Sequence, residues 1–354
     1  MSRSKRKHRY RHSRLYRIRR WIRHNKKQTV LFTVLGVIFV LGLVVWMRNA
    51  LIQQSNRHIT AGNSIDMGSG YRRITYNGKE YQYNSLITTV LYAGVDSEGV
   101  LETMGSYTDA PRADSINLVI LDKKNQRMTI MPINRDTMTE IRRYTVSGKD
   151  RGTYTSHLGL AYTYGDGGKV SCENLREAVS KLLGDIPINE YVVTNRSSMP
   201  YINQLVGGVM VTVPNDDLAE NYPEFQKGAS VKLDDTNIEA YLRSRDTEED
   251  FSNEGRMERQ RSYMSAYVEQ FKIVLEEDLS DTWNKVEKMN KYLQTSITKN
   301  KYINLANLLK RINFDENSFS LIEGQDAQGE LHDEFYVDET ALQEKIIELF
   351  YEEI

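Results

Sequence analysis

The sequence predicts an α/β fold, in which a single-pass membrane anchor precedes a domain whose helices cover both faces of a central mixed sheet. Three observations support this fold class. Residues 29–47 form an uncharged apolar run. From residue 88 onward, short β-branched or apolar runs alternate with segments of helical periodicity. The 354 residues include only six Pro and one Cys, which excludes a largely disordered chain and a disulfide scaffold.

The formal net charge of −1 conceals two opposed blocks. Residues 1–65 hold 15 Lys and Arg and no acid, whereas residues 66–354 hold 32 basic and 48 acidic residues, a net charge of −16. Thirteen of the basic residues lie in residues 1–28, before the apolar run. The positive-inside rule therefore predicts a protein of the cell membrane with a cytoplasmic N-terminus and an extracellular C-terminal domain.

The apolar run has the length of a transmembrane helix. Nineteen residues rise about 28 Å as a helix, which matches the hydrocarbon core of a bilayer. A cleaved signal peptide is the alternative, but it requires a shorter apolar run and a small-x-small cleavage site. This run instead closes with Trp46 and Met47 and is followed by Arg48 and Asn49. We expect an uncleaved anchor whose basic tail contacts membrane lipids, rather than nucleic acid.

The chain divides by composition into four parts. A basic tail (1–28) and the membrane helix (29–47) precede a polar, glycine-containing lead-in (48–87) and a globular domain (88–354). The domain shows no internal repeat and no linker, and its motifs concentrate in about 88–275.

Each element of the globular domain has a local signal. Apolar or β-branched runs predict strands at 88–96, 115–122, 128–133, 191–194, 209–214 and near 317–322. Periodicity predicts helices at 171–184, near 198–206, at 254–277, twice within 281–312 and near 339–351. Thr236 and Glu239 have the spacing of a capping box, which predicts the start of a further helix through residues 240–242.

Histidine and cysteine chemistry is sparse. Three of the six His lie in the basic tail, and His58, His157 and His332 are isolated in sequence, which argues against an imidazole zinc site. Cys172 has no partner for an intramolecular disulfide and is interpreted as a small core residue. No G-x-S-x-G, Walker A or G-x-G-x-x-G motif is present.

Carboxylates and arginines recur instead at the ends of predicted strands. Asp96 follows the first strand, Asp114 precedes the second, and Arg135 and Asp136 follow the third. Loops at strand ends often carry functional side chains. Two carboxylates at neighbouring strand ends can hold Mg²⁺, which keeps its other positions for water and phosphate.

A second group of arginines lies later in the chain. Arg243 and Arg245 end a predicted helix, and Arg256, Arg259 and Gln260 lie within one or two turns of the next helix. Guanidinium groups bind phosphate oxygens in a bidentate manner. Although an isolated surface Arg or Asp more often makes a weak solvated ion pair, the whole set favours a site for pyrophosphate and Mg²⁺.

Short motifs containing these residues follow one another along the chain. They are Gly94-x-Asp96-Ser97, Arg112-x-Asp114-Ser115, Asn134-Arg135-Asp136-Thr137, Ala161-Tyr162-x-Tyr164-Gly165 with Gly167-Gly168, Leu205-Val206-Gly207-Gly208-Val209-x-Val211-x-Val213-Pro214, Arg243-Ser244-Arg245 and Arg256-x-x-Arg259-Gln260. With this series, the basic tail and the span, the chain resembles the LytR-CpsA-Psr family of membrane-anchored cell-wall glycopolymer ligases. The order and spacing of the motifs are more specific than any one of them.

The resemblance implies an α-β-α sandwich with an apolar pocket for a polyprenyl chain. It implies transfer of a glycopolymer, such as teichoic acid, capsule or another wall polysaccharide, from polyprenyl pyrophosphate to a peptidoglycan hydroxyl. Asp96 and Asp114 would hold Mg²⁺ (or Mn²⁺). Asp114 and Asp136 are alternative acceptors of the proton of the attacking hydroxyl. The pyrophosphate would be bound by Arg135, Arg243, Arg245, Arg256 and Gln260, with Arg259 beside them.

Two other functions are compatible with the sequence. Water in place of the sugar hydroxyl would make the protein a hydrolase of the lipid pyrophosphate. A membrane-bound transcriptional attenuator would instead use its basic tail on DNA. An extracellular C-terminal domain would leave only residues 1–28 for that role.

Overall fold

The computed structural model describes residues 71–244, 253–329 and 332–354, and the chain from Tyr71 to Ile354 forms one compact unit. No helix in the described ranges is long and apolar enough to cross a membrane. The predicted span at 29–47 lies outside them and stays a prediction.

The strands in chain order are β1 (Arg73–Tyr76), β2 (Lys79–Tyr83), β3 (Ile87–Val95), β4 (Ala113–Asp122), β5 (Arg127–Ile133), β6 (Met138–Tyr144), β7 (Asp150–His157), β8 (Glu190–Asn195), β9 (Val209–Thr212), β10 (Ser230–Leu233), β11 (Leu293–Thr295), β12 (Gly324–Gln328), β13 (Asp333–Val337) and β14 (Tyr351–Glu353). The helices are α1 (Leu160–Thr163), α2 (Lys169–Leu182), α3 (Met199–Leu205), α4 (Ile238–Arg243), α5 (Asn253–Glu277), α6 (Leu279–Lys288), α7 (Lys299–Leu309) and α8 (Glu339–Phe350).

A central mixed sheet organises the domain, as predicted. Its five strands have the order β11-β8-β3-β4-β5. β3 and β8 are parallel and the other neighbours antiparallel. Leu118, Ile120 and Leu121 of β4 are all buried, which shows that both faces of this strand are covered. On one face, Leu121 and Ile130 pack in a cluster with Val268 of α5.

Four strand ends meet at one edge of this sheet. The parallel strands β3 and β8 end side by side, with Val95 paired to Asn195. The antiparallel strand β4 begins next to them, with Ala113 opposite Val95. β5 ends beside the start of β4, where Ile133 pairs with Ile116. Side chains at these four ends therefore project from a single end of the sheet.

The folded unit begins earlier than the sequence predicts. β1 and β2 form a hairpin through Asn77 and Gly78, whose φ angles of 49° and 76° are those of a type I′ turn. β2 also pairs with β14 at the end of the chain, with Tyr83 opposite Tyr351. The interpretation of 48–87 as a lead-in is therefore wrong for its last part.

The predicted capping box is also wrong. The helix α4 begins after Asn237, and no side chain caps its first turn. The hydroxyl of Thr236 donates instead to Asp234 at 2.6 Å. Glu239 accepts a hydrogen bond from Arg196, so an inter-element ion pair replaces the local contact that the spacing suggested.

The structure also differs from the prediction at several other segments. Near 317–322 the chain forms a single 3₁₀ turn, and Phe319 makes only an isolated bridge to Ile130. The hairpins β6–β7 and β12–β13 and the short strand β11 were not predicted. β12 and β13 contain no fully buried residue, so they lack the apolar alternation by which a half-buried strand is recognised.

Candidate active site

A cavity of about 110 Å³ opens at the edge where the four strand ends meet. Its polar walls are formed by Asp96, Asp114, Ser115, Thr194, Asn195, Arg196, Arg243, Arg256 and Gln260. Its apolar walls include Tyr92, Leu242, Tyr263 and Met264. An adjoining cavity shares Asp114, Gln260 and Met264 with the first and reaches Arg135. The structure thus brings most of the predicted site residues to one place.

Arg135 lies between two carboxylates. It is only 7% exposed, and its guanidinium hydrogen-bonds to Asp114. Its Nε lies 3.5 Å from Oδ1 of Asp136. Arg112 also donates to Asp114, at 3.3 Å. These contacts hold the Arg135 guanidinium in one orientation at the cavity wall.

Arg243 and Asp96 form a second ion pair across the cavity. Nη2 of Arg243 donates to Oδ1 of Asp96 at 2.6 Å, and Nη1 donates to Glu239 at 3.1 Å. Glu239 also accepts from Arg196 at 2.6 Å. Burial raises the pKa of Glu239, but hydrogen bonds and charge from Arg196 and Arg243 outweigh it and leave that pKa lowered. Glu239 is therefore a stable anionic anchor for both arginines.

The helix α5 supplies the remaining polar wall. Arg256 and Gln260 lie one turn apart and both face the cavity. Gln260 donates to the Leu242 carbonyl at 3.1 Å and accepts from the Ser115 hydroxyl at 3.3 Å. These bonds fasten α5 to both α4 and β4.

Arg259 does not line either cavity, although it lies beside Gln260 in sequence. It is fully buried. Its guanidinium donates to the carbonyls of Tyr241 and Ser244 and, at 2.9 Å, to Asp217. Burial lowers the pKa of Arg259, and the Asp217 carboxylate opposes that shift. Its placement is that of a residue that fixes the end of α4, on which Arg243 lies.

Two other predicted residues have different outcomes. Arg245 lies outside the described residues, so its role stays a prediction. Asp136 lies next to the site but does not line the cavities. It is 8% exposed, and its main-chain carbonyl accepts a hydrogen bond from Phe335 of β13 at 2.9 Å. This bond attaches the loop after β5 to the C-terminal hairpin.

Sequence reasoning missed several residues of the cavity. Asn195 ends β8 and Arg196 follows it, just as Asp96 follows β3. Their position at a strand end is therefore the signal by which they could have been predicted as site residues. Glu239, which binds Arg196 and Arg243 behind the cavity wall, has only the spacing of a capping box as a local signal. Ser115 belongs to the motif Arg112-x-Asp114-Ser115, which gives it no role, and nothing in the sequence distinguishes Tyr92 from other aromatic strand residues.

Cys172 is a core residue, as expected. It is fully buried, and its thiol donates to Gln294 at 3.1 Å. Burial, and then the charge of Asp166, raise the pKa of this thiol well above its usual value. The thiol therefore remains protonated and a poor nucleophile at neutral pH.

We expect Cys172 in the native protein to resist iodoacetamide at pH 8, because alkylation requires an accessible thiolate. Mass spectrometry should detect labelling only after denaturant is added. Stoichiometric labelling of the native protein would contradict this burial. Pre-unfolded protein under the same conditions is the positive control.

The donor set at the strand ends fits a hydrated divalent cation. Asp96 and Asp114 place two carboxylates at the cavity. Beside them, Oγ of Ser97 and Oδ1 of Asn195 are buried and have no hydrogen-bond partner among the described residues. Within those residues no group of three or more His, Cys, Asp or Glu side chains is arranged to hold a metal. Mg²⁺ bound together with a phosphate substrate requires only one or two carboxylates.

Several solved structures share this fold. The crystal structure of TagT from B. subtilis aligns with a TM-score of 0.54 at 22% identity, over 75% of this chain and 90% of that chain. A structure described as TagT bound to LIIa-WTA gives a TM-score of 0.57 with the same identity and coverage. A protein from Enterococcus faecalis described as a transcriptional regulator gives 0.55 at 22% identity, over 74% of this chain and 86% of that chain.

Curated relatives are named as transferases. The polyisoprenyl-teichoic acid–peptidoglycan teichoic acid transferase TagU of Bacillus cereus (strain AH820) is 29% identical over 249 residues, which cover 68% of this chain and 71% of TagU. TagV of Bacillus subtilis (strain 168), named for the same activity, is 29% identical over 188 residues, 51% of this chain and 43% of TagV.

The family itself is identified by a match over most of the chain. The model of the LytR_cpsA_psr family matches residues 55–349. This range includes both cavities and every strand of the central sheet. The chain belongs to the LytR-CpsA-Psr family.

Proposed function

We propose that the protein is a membrane-anchored, extracellular phosphotransferase that moves a glycopolymer from a polyprenyl-pyrophosphate carrier to a peptidoglycan hydroxyl, assisted by Mg²⁺ or Mn²⁺. The family and the names of the relatives support glycopolymer transfer to peptidoglycan. The observation that carries the finer proposal is the convergence of Arg135, Arg243 and Arg256 with Asp96 and Asp114 at one end of the sheet.

The arginines suit a pyrophosphate because their guanidinium groups are held in position before the substrate binds. Arg135 is buried and held by Asp114 and Asp136, and Arg243 is held by Asp96 and Glu239. Guanidinium groups arranged in advance stabilise charge that develops on phosphate oxygens without reorganising in the transition state. A divalent cation at the two carboxylates would supply further neutralisation of that charge.

In the proposed reaction, the acceptor hydroxyl oxygen attacks the phosphorus that bears the glycan. A new P–O bond forms to peptidoglycan, and the bond from this phosphorus to the bridging oxygen breaks. Polyprenyl phosphate leaves, and the hydroxyl proton passes to a carboxylate. Of the two candidates, Asp114 lines the cavity, whereas Asp136 is more enclosed and braces Arg135.

The apolar side of the cavity supports a prenyl chain as the carrier. Tyr92, Tyr263 and Met264 line it. Met264 also packs, like Leu305 and Leu308 of α7, against the buried cluster that contains Ile130 and Val268. Apolar walls beside the arginines suit a ligand with an anionic head and a hydrocarbon tail.

Asp96→Asn is expected to reduce transfer at low Mg²⁺ concentration by at least about 10-fold, because loss of one carboxylate weakens a site held by few ligands. Full-length protein in detergent would be assayed with an undecaprenyl-pyrophosphate disaccharide, over a Mg²⁺ titration, for glycan linked to peptidoglycan. Excess Mg²⁺ should restore part of the activity. The same Mg²⁺ dependence in wild type and variant would exclude Asp96 as a ligand.

Asp150→Asn is the matched control. Asp150 lies on β7, away from the cavity, and its Oδ2 is 2.6 Å from Nη1 of Arg142. Parallel assays without peptidoglycan distinguish transfer from hydrolysis. Transfer predicts that release of undecaprenyl phosphate depends on the acceptor. Release at the same rate without acceptor would identify a hydrolase.

A further inference from the structure

We infer that Ser97 and Asn195 belong to the cation site, where their side-chain oxygens accept hydrogen bonds from water molecules on the divalent cation that accompanies the pyrophosphate. This inference rests on the proposed function and adds two residues to its site. Asn195 is the last residue of β8 and pairs with Val95, the last residue of β3. Ser97 follows Val95 by two residues.

The amide of Asn195 has a defined orientation. Asn195 is 2% exposed, and its Nδ2 donates to the main-chain carbonyl of Gly99 at 2.7 Å. The reversed amide would set two carbonyl oxygens against each other. Oδ1 is therefore the atom that lacks a hydrogen-bond partner in the described part of the chain, on a residue that lines the cavity.

Ser97, two residues beyond the end of β3, has a second buried oxygen. Its main chain is fixed on both sides, because its N–H donates to the Val95 carbonyl at 2.9 Å and its carbonyl accepts from the Arg196 N–H at 3.0 Å. Its Oγ is buried and has no hydrogen-bond partner within the ranges that the structure describes. It directly follows Asp96, the predicted metal ligand.

Two such atoms at the ends of the neighbouring strands β3 and β8 need an explanation, because buried polar groups are nearly always hydrogen-bonded and an unpaired one destabilises the fold. Mg²⁺ retains several water molecules. Those water molecules are strong hydrogen-bond donors and require acceptors. The amide oxygen of Asn195 and the hydroxyl of Ser97 are neutral acceptors, so they orient this water without repelling the pyrophosphate as further carboxylates would.

The test is Ser97→Ala in the full-length protein in detergent micelles. The free Mn²⁺ signal in electron paramagnetic resonance would measure Mn²⁺ affinity in the presence of geranyl pyrophosphate. Loss of an outer-sphere partner should weaken that affinity about 10-fold. Without metal or lipid, the unfolding temperature should instead rise by roughly 1–3 °C, because a buried unpaired hydroxyl is removed.

Ser180→Ala is the matched control, because the Ser180 hydroxyl donates to the Ile186 carbonyl at 2.7 Å, away from the cavity. It should lower the unfolding temperature and leave Mn²⁺ affinity unchanged. Asn195→Ala should weaken Mn²⁺ binding as well. It should also lower the unfolding temperature, because the Gly99 carbonyl loses its donor.

A higher unfolding temperature together with weaker Mn²⁺ binding in Ser97→Ala supports the inference. Mn²⁺ affinity within twofold of wild type in Ser97→Ala, with clear weakening in Asp96→Asn, would overturn the inference and leave the proposed function intact. No weakening in Asp96→Asn would instead place the failure in the proposed cation site. In that case the role of Ser97 and Asn195 is rejected with it.

Discussion

Arg135→Ala is expected to reduce glycopolymer transfer by about 10²–10³-fold, the effect of removing one preorganised donor from a charged transition state. Arg135 is almost fully buried, so water in the variant would be a poor substitute for the hydrogen bonds that its guanidinium donates. Arg135→Lys should recover only part of the activity, because an ammonium keeps the charge but loses the planar fork. Initial rates with the undecaprenyl-pyrophosphate donor measure both effects.

Stability must be measured alongside these rates. Removal of Arg135 leaves Asp114 and Asp136 as neighbouring carboxylates without their shared cation, so the variant should also unfold at a lower temperature. Arg142→Ala is a suitable control, because Arg142 likewise bridges two acids, Asp150 and Glu177, away from the cavity. Full activity of folded Arg135→Ala protein would refute the assigned pyrophosphate site.

Arg259→Ala is expected to lower the free energy of unfolding by about 3–5 kcal/mol, the usual cost of removing one partner of a buried charged network. Four acceptors would lose their donor, namely the carbonyls of Tyr241 and Ser244, the side-chain oxygen of Asn215 and the carboxylate of Asp217. Arg259→Lys should recover little, since one ammonium cannot reach all four in the geometry of the fork. Denaturant unfolding measures the change.

The contrast with a surface arginine tests this role. Arg176→Ala removes a half-buried ion pair with Glu173 on α2 and should change stability by less than about 1 kcal/mol. A stability of Arg259→Ala within that same small range would contradict its structural role. It would return Arg259 to the candidates for direct pyrophosphate binding.

The positions of the site residues were largely predictable from strand ends. Asp96, Asp114 and Arg135 were found because each adjoins a short apolar run whose limits the sequence marks clearly. Antiparallel and parallel pairing then brings these ends together. The pairing partners themselves depend on long-range packing, which no local pattern encodes.

The orientation of individual helical residues was harder to predict. Arg256 and Gln260 share a face through their spacing, and both reach the cavity. Arg259 is adjacent to Gln260 but projects about 100° around the helix, into the buried contact with Asp217. Spacing defines which residues share a face, but tertiary packing decides which face borders the substrate.

Local signals also failed where a distant partner competes with them. Glu239 has the correct spacing for a capping box with Thr236, but Arg196 and Arg243 provide charged partners that a local backbone amide does not match. The hairpin β12–β13 escaped prediction because its residues remain partly exposed on both faces. For Glu239 the outcome depends in part on Arg196, a distant partner that the local spacing does not encode.

The hydrogen bond from Phe335 to Asp136 has a consequence for the order of folding. It joins the loop beside Arg135 to a hairpin nearly 200 residues later, and β14 pairs with β2 over a still longer separation. Contacts so distant in sequence form slowly, since a large loop must close first. A growing chain therefore cannot complete the support of its site until β13 and β14 have been synthesised.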